Sequence, residues 1–360
     1  MPMIIDLPDT DTRDIARKLV TLRETGGIVT TGRVLTLIVL AHRDDDIENI
    51  VATVNAVSRE HPARVLVLVS GEPRGENRLD AELRLGGEAG AAEVVVMHME
   101  GEVGAHPEAI VTPLLLPDTP VVAWWPSTPP QVPAATPIGQ IAQRRITDSL
   151  ADPDANAVYT RRTGYTPGDS DLAWSRLTAW RGVLASALDS PPHGPITAAR
   201  IEGPGEDPSV DVAAGWLADR LAVPVLRVVT DEPEVPVDAD GVAKPPVTKV
   251  TLTRSGEDGT PTDVIVEVEN ATTACVTIMG SPPFKVALSR RTTVDCLAEE
   301  LRHLDPDTAY ARALRGLGRI RRLTAEQARE AEDGSLDDGS SASGSPSISA
   351  FVHDPEESSR

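Results

Sequence analysis

The feature that most constrains this chain is a pair of short, almost continuous apolar runs, Arg33–Ala41 and Arg64–Ser70. A run of strand length that is apolar at nearly every position is typical of a strand buried on both faces. Between the two runs, apolar residues recur at the helical spacing from Ile47 to Val57. A strand, a helix and a second strand joined by short loops form a βαβ unit, so the sequence predicts that these two strands are parallel.

Further elements predict an α/β N-terminal domain with a mixed, partly parallel sheet over residues 1–165. The segments Glu93–Met99 and Val121–Trp125 are predicted strands. Apolar and polar residues alternate over Leu79–Leu85, which indicates a strand with one solvent-facing side and favours an edge or antiparallel position. The segment Ile138–Leu150 is compatible with a helix or a strand.

The remaining part predicts an α+β C-terminal domain over residues 166–323 and a mostly disordered acidic tail over residues 324–360. A helix capped by Asp169 or Ser170 opens the domain, and a second strand–helix–strand unit follows. Four short strands are spaced as an antiparallel meander: Lys249–Arg254, Asp263–Glu269, Thr273–Gly280 and Phe284–Arg290. Two helices, Val294–Leu304 and Thr308–Leu317, are expected to close the domain. A short helix is expected at Thr324, with Gln327 completing a capping box.

Charge and apolar content exclude several classes of protein. The formal net charge of −21 argues against sequence-independent nucleic-acid binding and against docking on an anionic membrane. No apolar run approaches the roughly 20 residues that a membrane helix requires, and no signal peptide is recognised. Two cysteines provide neither a disulfide framework nor a zinc site, so a cytoplasmic location is expected.

Two segments resemble ligand-binding sites, but each is explained more simply by local backbone structure. The segment Leu85–Gly90 resembles a phosphate-binding glycine loop, yet its second glycine is displaced and a strand follows, which favours a plain turn. The segment His42–Asp46 carries three consecutive aspartates that either hold a divalent cation or cap the following helix. Capping is the favoured interpretation, and we expect neither a metal nor a cofactor.

No catalytic constellation is visible in the sequence. None of the seven histidines forms a metal-binding pair on a helix, and no Gly-x-Ser-x-Gly motif occurs. Cys275 lies in a predicted strand and Cys296 in the first turn of a predicted helix. They are either a redox pair or two small buried hydrophobic residues, and the second interpretation is favoured. We therefore expect a protein that is not an enzyme.

A candidate partner-binding surface comprises Trp124, Trp125, Pro126, Arg144 and Arg145. Adjacent strand residues point to opposite faces, so one tryptophan is exposed unless helices cover both sides of the sheet. Tryptophan and arginine are enriched in interface hot spots. The two arginines alternatively bind a phosphorylated ligand or lie in salt bridges.

Several strings of residues resemble the OpcA family of glucose-6-phosphate dehydrogenase assembly proteins, in its actinobacterial form. They are Met3–Pro8, Ser58–Arg64, Val111–Pro126, Gln143–Asp148 and Leu172–Arg181, and the resemblance runs from Met3 to about Leu323.

This resemblance implies a non-catalytic protein that binds glucose-6-phosphate dehydrogenase, promotes its active oligomer and thereby controls the oxidative pentose phosphate pathway. Two alternatives stay open. One is a sugar-phosphate-binding sensor or enzyme that uses Arg144 and Arg145. The other is a scaffold whose acidic tail recruits partners.

Overall fold

The structure is a computed structural model that describes residues 3–25, 34–85, 92–191, 193–231, 236–237, 239, 241–256 and 259–337. Residues 86–90 of the glycine-rich segment and residues 338–360 of the predicted tail lie outside this description. The chain forms two compact units. The first comprises Met1–Ser175 and Thr292–Asp307, and the second comprises Arg176–Arg291 and Thr308–Arg360.

The strands are numbered here in chain order. They are β1 (Met3–Leu7), β2 (Leu35–His42), β3 (Ala63–Ser70), β4 (Arg78–Leu85), β5 (Ala92–Glu100), β6 (Val121–Trp125), β7 (Arg144–Thr147), β8 (Asp169–Asp171), β9 (Ile196–Pro204), β10 (Val225–Thr230), β11 (Lys249–Ser255), β12 (Pro261–Val268), β13 (Thr273–Ile278), β14 (Phe284–Ala287) and β15 (Ile320–Thr324).

The α-helices are numbered in the same way. They are α1 (Thr12–Thr25), α2 (Ile47–Val57), α3 (Pro107–Val111), α4 (Pro137–Ile141), α5 (Ala157–Arg162), α6 (Leu172–Ser175), α7 (Thr178–Leu188), α8 (Pro208–Leu221), α9 (Thr293–Arg302), α10 (Thr308–Gly316) and α11 (Ala325–Asp337). No helix among the described residues is long and apolar enough to cross a membrane.

The first unit contains an eight-stranded sheet with the order β1-β4-β5-β3-β2-β6-β7-β8. Strands β2 and β3 are parallel, with Leu35 opposite Ala63, so the βαβ prediction is confirmed. The six strands β5-β3-β2-β6-β7-β8 are all parallel. Taken in chain order, their arrangement is the 3-2-1-4-5-6 order of doubly wound dinucleotide-binding domains. The order in which strands are added reverses between β2 and β6: the chain runs outward from β2 through β3 to β5 and then returns to β6 on the other side of β2, which makes that junction the switch point of the sheet.

Successive side chains of the central strands point to opposite faces of the sheet and pack into two separate cores. On one face Val39 and Val67 pack with apolar residues of α2 and α9. On the other face Ile38 and Leu66 pack with apolar residues of α1, α3 and α4. The helix expected over Val294–Leu304 therefore packs in the first unit, whereas the sequence analysis assigned it to the C-terminal domain. Its apolar stripe is complete in the sequence, but a stripe does not specify which sheet it covers.

Three further elements of this unit differ from the sequence expectations. Met3–Leu7, for which no element was predicted, pairs with β4 as an antiparallel edge strand, so β4 lies inside the sheet. Ile138–Leu150 contains both a helix and a strand. The helix expected with Asp169 or Ser170 as its cap is wrong at its start, because Asp169–Asp171 pairs with β7 as strand β8, and the segment that follows forms two helices, α6 and α7. Backbone pairing with a neighbouring strand outweighs the local helical pattern there.

The second unit contains a seven-stranded sheet with the order β14-β13-β12-β11-β9-β10-β15. Strands β11 to β14 form the predicted antiparallel meander, and β9 and β10 are parallel as the second strand–helix–strand unit requires. The sequence analysis predicted no strand at β15, which pairs in parallel with β10 and forms one edge of the sheet. The capping box before α11 is confirmed, since Thr324 and Gln327 exchange hydrogen bonds of 3.0 and 3.2 Å.

Candidate functional site

The switch point of the first sheet is the place where this topology positions a ligand. In open α/β sheets, ligands bind outside the carboxyl ends of the strands at the point where the strand order reverses. Here that point is flanked by the turn His42–Asp46 after β2 and by the loop that begins at Pro126 after β6. The residues of these two segments decide what the crevice can hold.

The turn after β2 carries acidic residues where a dinucleotide domain carries glycines. Asp46 Oδ1 accepts a 3.0 Å hydrogen bond from Asn49 N, so the N-terminus of α2 is capped by the chain's own carboxylate. The capping interpretation of this segment is confirmed for Asp46. Asp45 Oδ2 accepts a 2.7 Å bond from His42 N, which closes the turn on itself. Among the described residues, no group of three or more acidic, histidine or cysteine side chains is arranged to hold a metal ion.

A hydrogen bond joins the two segments that flank the switch point. Ser127 Oγ donates to Asp45 Oδ2 at 2.9 Å. This bond links the loop after β6 to the turn after β2, at the position where a pyrophosphate would approach the N-terminus of α2 in a dinucleotide-binding domain. Three aspartates in the turn add a negative field that opposes any phosphate group.

Beside this junction lies an open apolar pocket of about 480 Å³. Trp125 and Leu40 contribute from the strand ends, and prolines form much of the remaining wall. The full lining is Leu40, Gly104, Ala105, Pro107, Trp125, Thr128, Pro129, Pro130, Thr136, Pro137 and Ile138. The absence of charged side chains from this lining suits an apolar segment better than a phosphorylated metabolite.

The proline-rich loop between β6 and α4 is held in one conformation by short-range contacts. Thr136 Oγ1 donates to Pro133 O at 2.8 Å and accepts from Gly139 N at 3.0 Å, which caps α4. A Cβ atom on Gly139 would lie 1.8 Å from Pro133 O, so only glycine allows this close approach. The loop is therefore preorganised as a surface.

The two tryptophans predicted as contact residues belong to the core. Trp124 is 2% exposed and packs on the α2 and α9 face, whereas Trp125 is 4% exposed and packs on the opposite face. Helices thus cover both sides of the strand end, and neither ring is exposed as a surface anchor. Trp125 still reaches the pocket, and the neighbouring Pro126 is half-buried.

Arg144 and Arg145 are buried, and both are engaged within the protein. Arg144 donates to the carboxylate of Glu300 on α9 and to Asp305 O. Glu300 also accepts from Ser175 Oγ. Arg144 thereby fixes α9 against the sheet.

Arg145 connects three segments around the proline-rich loop. Its Nε donates to Asp169 Oδ1 at 2.5 Å, and its Nη1 donates to Ala142 O at 2.8 Å. Its Nη2 donates to Pro167 O at 2.6 Å. These bonds tie α4 to the start of β8, and they occupy the donors that a phosphate would require.

Sequence reasoning missed a buried polar network at the β8 edge. Asp171 accepts from Thr147 Oγ1 at 2.5 Å and from Ser149 Oγ at 2.6 Å. Arg161 donates to Ser149 Oγ at 2.7 Å and to Asp152 at 2.6 Å. Burial raises the pKa of Asp171 above its usual range. Two closely spaced acidic residues, Asp169 and Asp171, are visible in the sequence as a possible polar site. No local pattern, however, indicates that they pair with β7.

The cysteines differ in their surroundings. Cys296 lies on α9 and is fully buried in the core, in agreement with its interpretation as a small hydrophobic residue. Cys275 is half-buried on β13 opposite Lys285 of β14. Neither forms a disulfide.

Two solved structures are distantly similar to the chain. An oxidoreductase from Sinorhizobium meliloti is 9% identical, with 81% of this chain and 97% of that chain covered and a TM-score of 0.37. Biliverdin reductase from Synechocystis is 10% identical, with 79% and 96% covered and a TM-score of 0.33. Similarities this weak carry no argument about function. No curated protein sequence matches the chain.

Family models match both units. The model for the N-terminal domain of the glucose-6-phosphate dehydrogenase subunit matches residues 54–163. The model for the C-terminal domain of the same subunit matches residues 167–314. Together they span most of the described chain and agree with the resemblance carried by the five sequence strings. The chain therefore belongs to the OpcA family of glucose-6-phosphate dehydrogenase subunits.

Proposed function

We propose that this chain is a non-catalytic subunit that binds glucose-6-phosphate dehydrogenase and promotes its active oligomer. The family assignment supports the identity of the partner. The observation that carries the non-catalytic role is the switch point, where the Ser127–Asp45 hydrogen bond and the Asp46 cap occupy the place of an anion site. The fold has the strand order of a dinucleotide-binding domain without the residues that bind a dinucleotide.

The physical argument concerns the N-terminus of α2. A pyrophosphate binds at such a helix end through free backbone N–H groups and through glycines that allow close approach. In this chain one of those N–H groups is bonded to Asp46, and the turn has no glycine. A cofactor phosphate would therefore displace a capping bond and also meet repulsion from the adjacent carboxylates.

An activator of this kind needs no contact with substrate. It shifts the dehydrogenase toward its active assembly if it binds that assembly more tightly than the inactive form. A difference of about 1.4 kcal/mol in binding free energy changes the population ratio about tenfold. A rigid, preorganised surface suits this role, because little conformational entropy is lost on association.

We further propose the proline-rich loop after β6 as one contact surface. The loop from Pro126 to Pro137 and the pocket behind it are accessible to a partner, and Arg145 supports that surface from beneath. Trp124 and Arg144 pack on the opposite face of the sheet, against α9. Prolines lower the entropy lost on fixing a loop, and the apolar pocket accommodates an apolar side chain of a partner.

The test is to add the purified chain to the glucose-6-phosphate dehydrogenase of the same organism. Enzyme activity and the mass of the assembly by light scattering are measured together. The proposal requires a rise in activity that accompanies a change in oligomer size, and an unchanged enzyme would contradict it.

A parallel titration of the isolated chain with NADP⁺ and with glucose 6-phosphate separates the remaining alternatives. Calorimetry is expected to detect no binding of either ligand. Micromolar binding of glucose 6-phosphate would favour the sensor alternative instead, and turnover by the isolated chain would show that it is an enzyme.

A further inference from the structure

One segment of the second unit has a charge opposite to that of the chain as a whole. Residues 308–325 contain no aspartate or glutamate but five arginines, whereas the whole chain has a formal net charge of −21. The arginines are Arg312, Arg315, Arg319, Arg321 and Arg322, and each is exposed. A basic surface on an acidic protein is a local feature that net charge alone does not reveal.

Helix α10 and the turn after it present three of these arginines on one side. Arg312, Arg315 and Arg319 follow one another at intervals of three and four residues, which places them along one face of the helix. Arg319 lies 3.4 Å from Asp219 of α8. For Arg312 and Arg315, no ion pair is seen with any described residue. Their guanidinium groups are available to a partner.

Helix α10 is held rigidly against α8 by two glycines. A Cβ atom on Gly316 would lie 1.9 Å from Gly215 O, and one on Gly215 would lie 2.4 Å from Ala313 O. The two helix backbones are thus in direct contact, and the buried side of α10 is filled by Tyr310, Leu314 and neighbouring apolar residues. The arginine row lies beside this contact, since Arg319 reaches Asp219 of α8, and all three arginines are exposed.

Helix α8 carries a half-buried aromatic residue next to the glycine contact with α10. Four of the five tryptophans, Trp124, Trp125, Trp174 and Trp180, are almost fully buried. Trp216 alone among the five is half-buried, and Arg220 lies one turn further along α8 and is exposed. Partly exposed tryptophan and arginine are the residue types most enriched in interface hot spots.

We infer that the outer face of α8 and α10, defined by Trp216, Arg220, Arg312, Arg315 and Arg319, is a docking surface for an acidic patch on glucose-6-phosphate dehydrogenase. This inference rests on the proposed function and names a second contact surface for it. An acidic partner follows from charge complementarity, because arginine pairs with carboxylates through paired hydrogen bonds. Charges at an interface rim chiefly accelerate association and make it sensitive to salt.

The test compares two variants with the same change in net charge. R312E/R315E reverses the proposed surface, and R13E/R59E reverses two exposed arginines of the first unit. Binding of each full-length variant to the dehydrogenase is measured by biolayer interferometry between about 50 and 300 mM NaCl, concentrations across which screening changes markedly. R312E/R315E is expected to bind about tenfold more weakly at low salt, mainly through slower association, and to lose most of the salt dependence. The control is expected to stay within about twofold of the natural chain.

A third variant, W216A, tests the aromatic anchor. It is expected to weaken binding by about tenfold or more through faster dissociation, with circular dichroism confirming that it stays folded. Equal binding by R312E/R315E and the control would overturn the docking surface while leaving the proposed function intact. Absence of binding by the natural chain would overturn both.

Discussion

Ser127 donates a 2.9 Å hydrogen bond from its Oγ to Oδ2 of Asp45, across the switch point of the first sheet. The two residues follow different strands and lie 82 positions apart in the chain. Their bond joins the two segments that flank the crevice where a fold with the strand order 3-2-1-4-5-6 binds its ligand.

The first prediction concerns this bond. S127A leaves Asp45 with the hydrogen bond from His42 N only, so the free energy of unfolding is expected to fall by about 1 kcal/mol. Urea denaturation measures the change. T128A, at the next and exposed position, is the matched control and should be neutral within about 0.5 kcal/mol. Equal stabilities of the two variants would indicate that the bond contributes nothing.

The second prediction concerns the paired tryptophans. Because each ring fills a different core, W124A and W125A should each lower the free energy of unfolding by about 3–5 kcal/mol. W216A, at a half-buried position, should cost clearly less. The ordering is checked by guanidinium denaturation followed by fluorescence. A loss under about 1 kcal/mol for either core variant would mean that its ring is not packed as described.

The third prediction contrasts two glycines in helices. At Gly316 an added Cβ meets the Gly215 carbonyl, so G316A must separate α8 and α10 and should cost about 1–3 kcal/mol. At Gly182, inside α7, an added Cβ meets nothing within 4 Å. G182A should therefore stabilise the protein by about 0.5–1 kcal/mol, through helix propensity alone. Thermal unfolding should show opposite shifts, and shifts of the same sign would refute the glycine contact.

The fourth prediction concerns pH. Arg84 donates hydrogen bonds of 2.6 and 2.8 Å to Glu48, and these bonds lower the pKa of Glu48 below its usual range. A lowered folded-state pKa stabilises the protein at pH values above the unfolded-state pKa, and this stabilisation is lost as pH falls through the lowered value.

The stability difference between the natural chain and E48Q should therefore be about 0.3–1 kcal/mol at pH 7 and should shrink toward zero on acidification. Urea denaturation from pH 7 to pH 3 follows it. E76Q removes an exposed carboxylate for which no ion pair is seen among the described residues, and it should show no such trend. A difference that stays constant with pH would exclude the ion pair as its cause.

Local patterns in the sequence determined much of the secondary structure and the family. The apolar runs Arg33–Ala41 and Arg64–Ser70 specified a parallel pair, and regular turn spacing specified the meander. The capping residues Asp46 and Thr324 were also recognisable, because a cap depends on residues within one helical turn. Each of these inferences needs only neighbours in the chain.

The tertiary structure alone decided which faces are covered and which charges are paired. Trp124 and Trp125 are core residues because helices distant in sequence close both sides of β6, and Arg144 is occupied because Glu300 comes from α9. The Ser127–Asp45 bond likewise exists only after the sheet has formed. Periodicity specifies which face of a helix or strand is buried. The residues that cover this face are decided by long-range packing, which no local pattern encodes.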